Sequence, residues 1–248
     1  SEVTYVKHHK RKIAYLFSAM RHFANSLGDD GIAVRYRRLD DPDNAGSLAD
    51  EVANAIAAFG PDRIVITAPG EYRLADEMAG WQARVGLAVD IRADTRFLCS
   101  LDDFAEWAEG RKSLRMEFFY RDLRRRYKVL MEGDEPIGGK WNYDADNRQP
   151  PKAGLAVPLP SSFAPDAITT EVLALVEMRC ADHFGQLAGF DFAVTRDQAL
   201  HVLDQFIGER LPLFGTYQDA MIEGEPWMYH SHIGLYLNAG LLSPIEVI

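Results

Sequence analysis

Cysteine is scarce in this chain: Cys99 and Cys180 are the two among 248 residues, and they form no C-x-x-C pair. That argues against a disulfide framework and suits a reducing cytoplasm, where the protein is expected to reside. Two thiols also cannot supply the four ligands of a 4Fe-4S cluster. Long apolar runs are lacking as well, and none approaches the ~18 residues of a membrane span. The first residues carry Lys and His without the apolar stretch of a signal peptide. There is no G-x-G-x-x-G, P-loop, H-E-x-x-H or G-x-S-x-G element. The fingerprints of dinucleotide binding, nucleoside-triphosphate binding, zinc proteolysis and serine hydrolysis are therefore missing. His8 and His9 are adjacent and occupy different helix faces, and His230 and His232 stand two apart. Neither pair reads as a metal site.

Positive charge is the minority sign. With 27 Lys and Arg against 37 Asp and Glu, the net charge of −10 argues against broad, non-specific binding to polyanions. The basic residues that are present cluster in Lys7–Lys12 and Arg121–Lys128. Each cluster reads either as a solvated helix face or as a local DNA-facing surface.

What the chain does have is core material. At 47% hydrophobic and 26% charged residues it fits a globular protein of one and a half to two domains. The repeat of Val6, Ile13, Leu16, Phe17, Met20 and Phe23 predicts a helix from Val3 to about Leu27. Residues 33–39 alternate like a strand. Ser47 caps a helix running towards Phe59, and Arg63–Thr67 is a short apolar strand of the parallel type. A helix over about 72–85 and a strand over 88–91 follow. This alternation specifies right-handed crossovers and a Rossmann-like, doubly wound parallel sheet. After Asp102 the pattern becomes helical, at 103–109 and 113–131. An irregular span, 133–165, holds six prolines and reads as a linker. Helices are predicted again over 167–178, 195–209, 217–223 and 233–240. The expected division is an α/β domain over 1–130, a linker over 131–165 and a helical segment over 166–248.

Several polar residues admit two readings. Asn142, Asp144, Asp146, Asn147 and Arg148 suit turn chemistry, with Asn and Asp serving local backbone groups and Arg148 pairing with one of them. Ser231 is a suitable N-cap for a helix beginning near Ile233. Glu2 suits the positive end of the first helix, an interaction of ~0.3–1 kcal/mol. Trp81, Trp107, Trp141 and Trp227 lack the regular spacing of an electron relay and read as core.

Two blocks carry a family resemblance. Arg210-Leu-Pro-Leu-Phe-Gly-Thr-Tyr-Gln-Asp219 and Tyr229-His-Ser-His-Ile-Gly-Leu-Tyr-Leu-Asn-Ala-Gly-Leu-Leu-Ser-Pro244 resemble the start of the flavin domain in photolyases and cryptochromes. Ser231, Tyr236, Leu237 and Gly240 keep the register there. His230 replaces the usual Thr, and Gly234 the usual second Ser. Residues 5–23 (Tyr5 to Phe23), Phe97-Leu-Cys-Ser100, 110–121 and Gly138-Gly-Lys-Trp-Asn-Tyr-Asp-Ala-Asp-Asn-Arg148 are similar to the bacterial branch. That branch comprises iron–sulfur cryptochromes and prokaryotic (6-4) photolyases. The resemblance covers the whole chain but the N-terminal half of such a protein.

The resemblance implies an antenna-type α/β domain whose first two strands have no counterpart here, then a linker, then the start of an all-helical flavin domain. It implies DNA lesion binding by Leu16, Asp144, Arg148 and Asp219. Arg148 would contact lesion phosphate or base, and the acidic residues a base edge or a divalent ion. It implies contact of Glu2 and Tyr5 with a ribolumazine antenna, and of His230, Ser231 and Tyr236 with FAD. The family's cluster cysteines lie outside the stretch that this chain resembles. The implied function is repair of (6-4) pyrimidine photoproducts in damaged DNA by light-driven electron transfer from reduced FAD, or blue-light reception. This stretch by itself is expected to be catalytically incomplete and to hold neither tightly bound flavin nor a cluster. The alternative is a stand-alone α/β ligand-binding or interaction module without enzymatic activity.

Overall fold

The first long helix, α1 (Lys10–Asp29), begins later than its apolar repeat predicts. His9 halts the chain in extended conformation, and its Nδ1 accepts from the Arg11 N–H at 3.1 Å. A ring nitrogen thus satisfies one of the orphan donors of the first turn. The computed structural model describes residues 5–147 and 149–248.

Ser47 caps α2 (Leu48–Phe59) as expected, accepting from the Asp50 N–H at 3.1 Å. Strand β1 (Arg63–Thr67) leads through α3 (Tyr72–Ala79) and α4 (Trp81–Val85) to β2 (Ala88–Arg92). The two strands pair in parallel, Arg63 opposite Ala88 and Thr67 opposite Arg92. One face of this sheet covers a small core of Ala49, Met78 and Trp81, with Ile66 and Val89 contributed by the strands. Among the described residues the parallel sheet has these two strands. The expected third strand, 33–39, does not form. The Arg38 N–H is taken by the Asp41 carboxylate at 2.8 Å, and the Arg38 carbonyl by the Asn44 amide at 2.8 Å. Side chains close a turn there and remove groups that a ladder would need. The architecture is mixed α/β, predominantly helical, with a small parallel sheet.

Helix α5 (Leu101–Ala108) starts at a reciprocal cap between Ser100 and Asp103, and α6 spans Met116–Tyr127. A short antiparallel pair, β3 (Met131–Glu132) with β4 (Glu135–Pro136), opens the irregular span. Then come α7 (Ala167–Arg179), α8 (Arg196–Gln205), a π-helical turn at Phe206–Arg210, α9 (Leu211–Phe214), α10 (Gly234–Ala239) and α11 (Pro244–Val247). The helix expected over 217–223 is replaced by turns. The Asp219 N–H points at the Asn147 carbonyl, 3.4 Å away, instead of at a carbonyl one helical turn back. Ser231 does not cap α10, because His232 adopts φ +56° and Ile233 becomes the N-cap.

The principal core joins the two ends of the chain. Ile13, Ala14 and Tyr15 of α1 pack with Val172 and Val176 of α7, and with Leu203, Phe206, Tyr236 and Leu242. The entry to α1 is stitched to the loop after α7. Lys10 N–H donates to the Phe184 carbonyl at 2.9 Å, His8 N–H to His183 Nδ1 at 3.2 Å, and Arg11 to the Gln186 and Ala188 carbonyls. Gly185 makes this closeness possible. It adopts φ +87°, and a Cβ there would stand 2.1 Å from His9 Nε2 and 2.4 Å from Cδ2 and Cε1.

Two outcomes follow for stability. Gly185→Ala combines a left-handed backbone with a steric clash and should lower unfolding free energy by about 1–3 kcal/mol in urea titration. Gly28→Ala, at a helix position with open space, should not lower it. The second concerns Glu246, which accepts from the Ser243 N–H and hydroxyl at 2.8 Å each and pairs with Arg196. The Arg196 pairing, with the Ser243 bonds, holds its carboxyl at about 2, below the ordinary 4.5. A depressed acid stabilises above the unfolded value and loses that contribution as pH falls through the folded value. Glu246→Gln should therefore be less stable than the parent at pH 6, with the gap closing between about pH 4.5 and 2 in melting curves.

Candidate functional site

The polar run 142–147, within the irregular span 133–165, is folded onto the helical part. Asn142 forms a side-chain turn, its Oδ1 accepting from the Asp144 N–H at 2.7 Å and its amide donating to the Asp144 carboxylate at 3.1 Å. The next turn is closed by backbone bonds from Asp146 to Tyr143 and from Asn147 to Asp144. Asn147 then reaches across. Its amide donates to the Gln218 side chain at 3.2 Å, its carbonyl receives the Asp219 N–H, and the Gln149 N–H donates to the Thr216 carbonyl at 3.3 Å. Residues some 70 positions apart thus form one polar surface, with Asp144, Asp146 and Asp219 exposed on it. Asp144 and Asp219 both lie on this surface. Arg148, like Glu2, lies outside the described residues. Leu16 is half-buried and packs against the principal core.

A second polar locus lies at residues 228–232. Met228 and His232 both take positive φ, +45° and +56°, a strained conformation for bulky side chains. Beneath this turn Arg210 is fully buried and donates to the Pro158 carbonyl at 3.3 Å and to that of Leu159. Its Nε has no partner in the described structure, and neither does His232 Nδ1. Burial lowers the His232 value despite the hydrogen bond to the Trp227 carbonyl, and the Arg210 charge adds to the lowering. Nε2 faces the Trp227 carbonyl at 3.1 Å, and Nδ1 has no partner in the described structure. His230 is exposed and Ser231 half-buried on the same turn. Tyr236 is in the principal core, its hydroxyl accepting from the Ala193 N–H at 3.3 Å, and burial raises its value. The unmatched Arg210 and His232 nitrogens were not singled out from sequence. The available signal was an arginine inside the apolar run Phe206 to Phe214.

Tyr5 is 65% exposed, with the Arg73 guanidinium 3.7 Å from its ring centre. It borders a cleft of about 570 Å³ together with Lys7, Cys180, Asp182 and His183. The basic runs are largely committed within the molecule. Lys7 pairs with Asp182 at 3.0 Å and Lys10 with Glu177 at 3.0 Å, while Arg121, Arg125 and Arg126 pair with Glu117, Asp122 and Asp103. Of the tryptophans, Trp81 is buried and Trp227 is 43% exposed. Among the described residues no group of His, Cys, Asp and Glu is arranged to hold a metal, and no helix is long and apolar enough to cross a membrane.

A mixed α/β and helical protein with a polar segment strapped across its helical part is the class these features define. The chain belongs to the photolyase-related proteins: residues 1–192 match the family described as deoxyribodipyrimidine photo-lyase-related protein. It is 51% identical over 247 residues to the (6-4) photolyase of Agrobacterium fabrum, which covers 100% of this chain and 49% of that protein. An uncharacterized protein of Acanthamoeba polyphaga mimivirus is 27% identical over 142 residues, 56% of this chain and 70% of that protein. The chain spans about half the length of the photolyase it matches.

Loss of the cross-link at Asn147 should be local. Asn147→Ala should accelerate amide hydrogen exchange at residues 143–147 and 216–219 and cost about 1 kcal/mol. Exchange in α1 and α7 should stay as in the parent.

Proposed function

We propose that this chain forms part of a light-dependent repair protein acting on DNA with (6-4) pyrimidine photoproducts. The observation that carries the proposal is the docking of the 142–149 segment on residues 215–219. It gathers Asp144 and Asp219, which the resemblance assigns to lesion binding, on one solvent-facing surface. A flipped-out lesion needs such a surface, because its base edges lose their pairing partners and offer hydrogen-bonding groups to the protein. Exposed carboxylates accept from base N–H groups, and an arginine supplies charge-assisted bonds to phosphate or to carbonyl oxygens. Local acidity at this surface also repels undamaged backbone, so lesion contacts decide affinity rather than general attraction to DNA.

FAD is the cofactor this reading entails, and the turn at 228–232 fits an anionic group of that kind. Arg210 Nε is a buried cationic donor with no partner in the described structure, and Ser231 and His230 offer further donors on the 228–232 turn. When bound, reduced flavin would supply the electron after light absorption. The residues here would neutralise and orient its phosphate side, and Arg210 already ties the linker carbonyls at 158 and 159 to the same place.

The test is competition binding of a (6-4)-containing duplex against its undamaged twin at fixed salt, using the full-length protein. Arg148→Ala should lower the preference for damaged DNA by about tenfold or more, since a charge-assisted bond contributes ~1.5–3 kcal/mol. Equal weakening on both duplexes would reduce Arg148 to a general phosphate contact. A visible absorption spectrum separates this reading from a colourless α/β binding module: flavin bands support it.

A further inference from the structure

We propose that Trp141 is the positioning residue of the 142–149 segment, a role that rests on that segment facing damaged DNA. The indole is half-buried among three guanidiniums of α6. Arg121, Arg124 and Arg125 lie 5.3, 5.4 and 4.7 Å from its ring centre. These cations are held from behind. Arg121 is bound by Glu117, and Arg125 by Asp122 at 3.1 Å. Arg124 is itself buried and donates to the Val129 carbonyl at 3.1 Å and to the Leu130 carbonyl at 2.5 Å. Those two bonds fix the left-handed residues Lys128 and Leu130, at φ +55° and +52°, which turn the chain out of α6 into the β3–β4 pair. The chain then returns through Gly138, at φ +84°, where a Cβ would stand 2.5 Å from the Tyr143 hydroxyl oxygen. The path from α6 out and back to Trp141 is therefore a closed circuit. The acidic turn at 142–146 is anchored by Trp141 on one side and by Asn147 and Gln149 on the other.

An aromatic face attracts cations strongly where water is partly displaced, and an arginine stacks flat on it. This arrangement engages the cations of a strongly basic helix stretch on an acidic protein within the fold: they lie against an indole and nearby carboxylates. Holding a short recognition turn at both ends removes freedom that binding would otherwise have to remove.

The test uses the full-length protein and the variants Trp141→Ala, Trp141→Phe and Arg125→Gln. Amide exchange at residues 142–147 reads the anchor, and the ratio of damaged to undamaged duplex binding reads the function. Trp141→Ala should speed exchange about tenfold and lower the binding ratio by a similar factor. Trp141→Phe, which keeps an aromatic face, should restore most of both, and Arg125→Gln should give an intermediate effect if Trp141→Ala proves too unstable to purify. Unchanged exchange in both Trp141→Ala and Arg125→Gln would overturn the anchor. Faster exchange with an unchanged binding ratio would leave the anchor standing and sink the lesion-facing reading beneath it. Equal weakening on both duplexes would overturn the positioning role in favour of direct stacking of Trp141 on DNA.

Discussion

The pairing of α1 with α7 is the contact on which the rest of the molecule depends. Its seam is apolar, with Ile13 and Ala14 against Val172 and Val176, each at most 2% exposed. Two ion pairs bracket it, Lys10 with Glu177 and Arg21 with Glu171. Their carboxylates are more than 60% exposed, so screening leaves these pairs a minor role beside the buried seam. What the charged stems contribute is cover: Lys10 and Arg21 lie almost wholly buried along the helix pair. Because α1 and α7 are about 150 residues apart in sequence, this seam closes the chain on itself before any local site can be placed.

With that seam in place, the proline-rich span 133–165 is held at successive points rather than left free. Phe163 N–H reaches the Asp191 carbonyl, Arg210 takes the carbonyls of 158 and 159, and the Tyr229 hydroxyl donates to the Ala156 carbonyl at 2.5 Å. A proline-rich span has few N–H groups of its own to spend on regular structure. It therefore presents carbonyls, and buried donors from the helical part collect them. The cost is visible at Arg210, a fully buried cation whose Nε finds no partner and whose value burial lowers. Unmatched buried donors are uncommon in folded proteins, and this one sits beneath the strained turn at 228–232.

Charge distribution has the same logic. A chain with net charge −10 that still keeps two arginine- and lysine-rich runs invites a reading as a DNA-facing surface. In the folded protein most of those cations face carboxylates, carbonyls or the Trp141 ring. The exposed polar groups at the 142–147 and 215–219 junction are mainly amides and acids. Recognition built on such groups depends on geometry more than on net attraction.

The sequence by itself determined the family, the helices with strong periodicity, the apolar strand at 63–67 and the strand at 88–91. It also determined the caps at Ser47 and the change from strand–helix alternation to helices after residue 102. These are local properties, set by residue spacing and by side chains acting within a turn or two. It pointed the wrong way at three places: a helix from Val3, where α1 starts after His9; a strand over 33–39, where the Asp41 turn forms; and a helix over 217–223, where turns form. In each case a side chain or a distant carbonyl captured a backbone group that regular structure would have used. The candidate site divides the same way. Asp144 and Asp219 were legible as motif positions, but their meeting required the Asn147 bridge. Arg210 and His232 became visible only when tertiary packing removed their water and left one nitrogen of each unmatched, since a polar group's cost depends on what surrounds it.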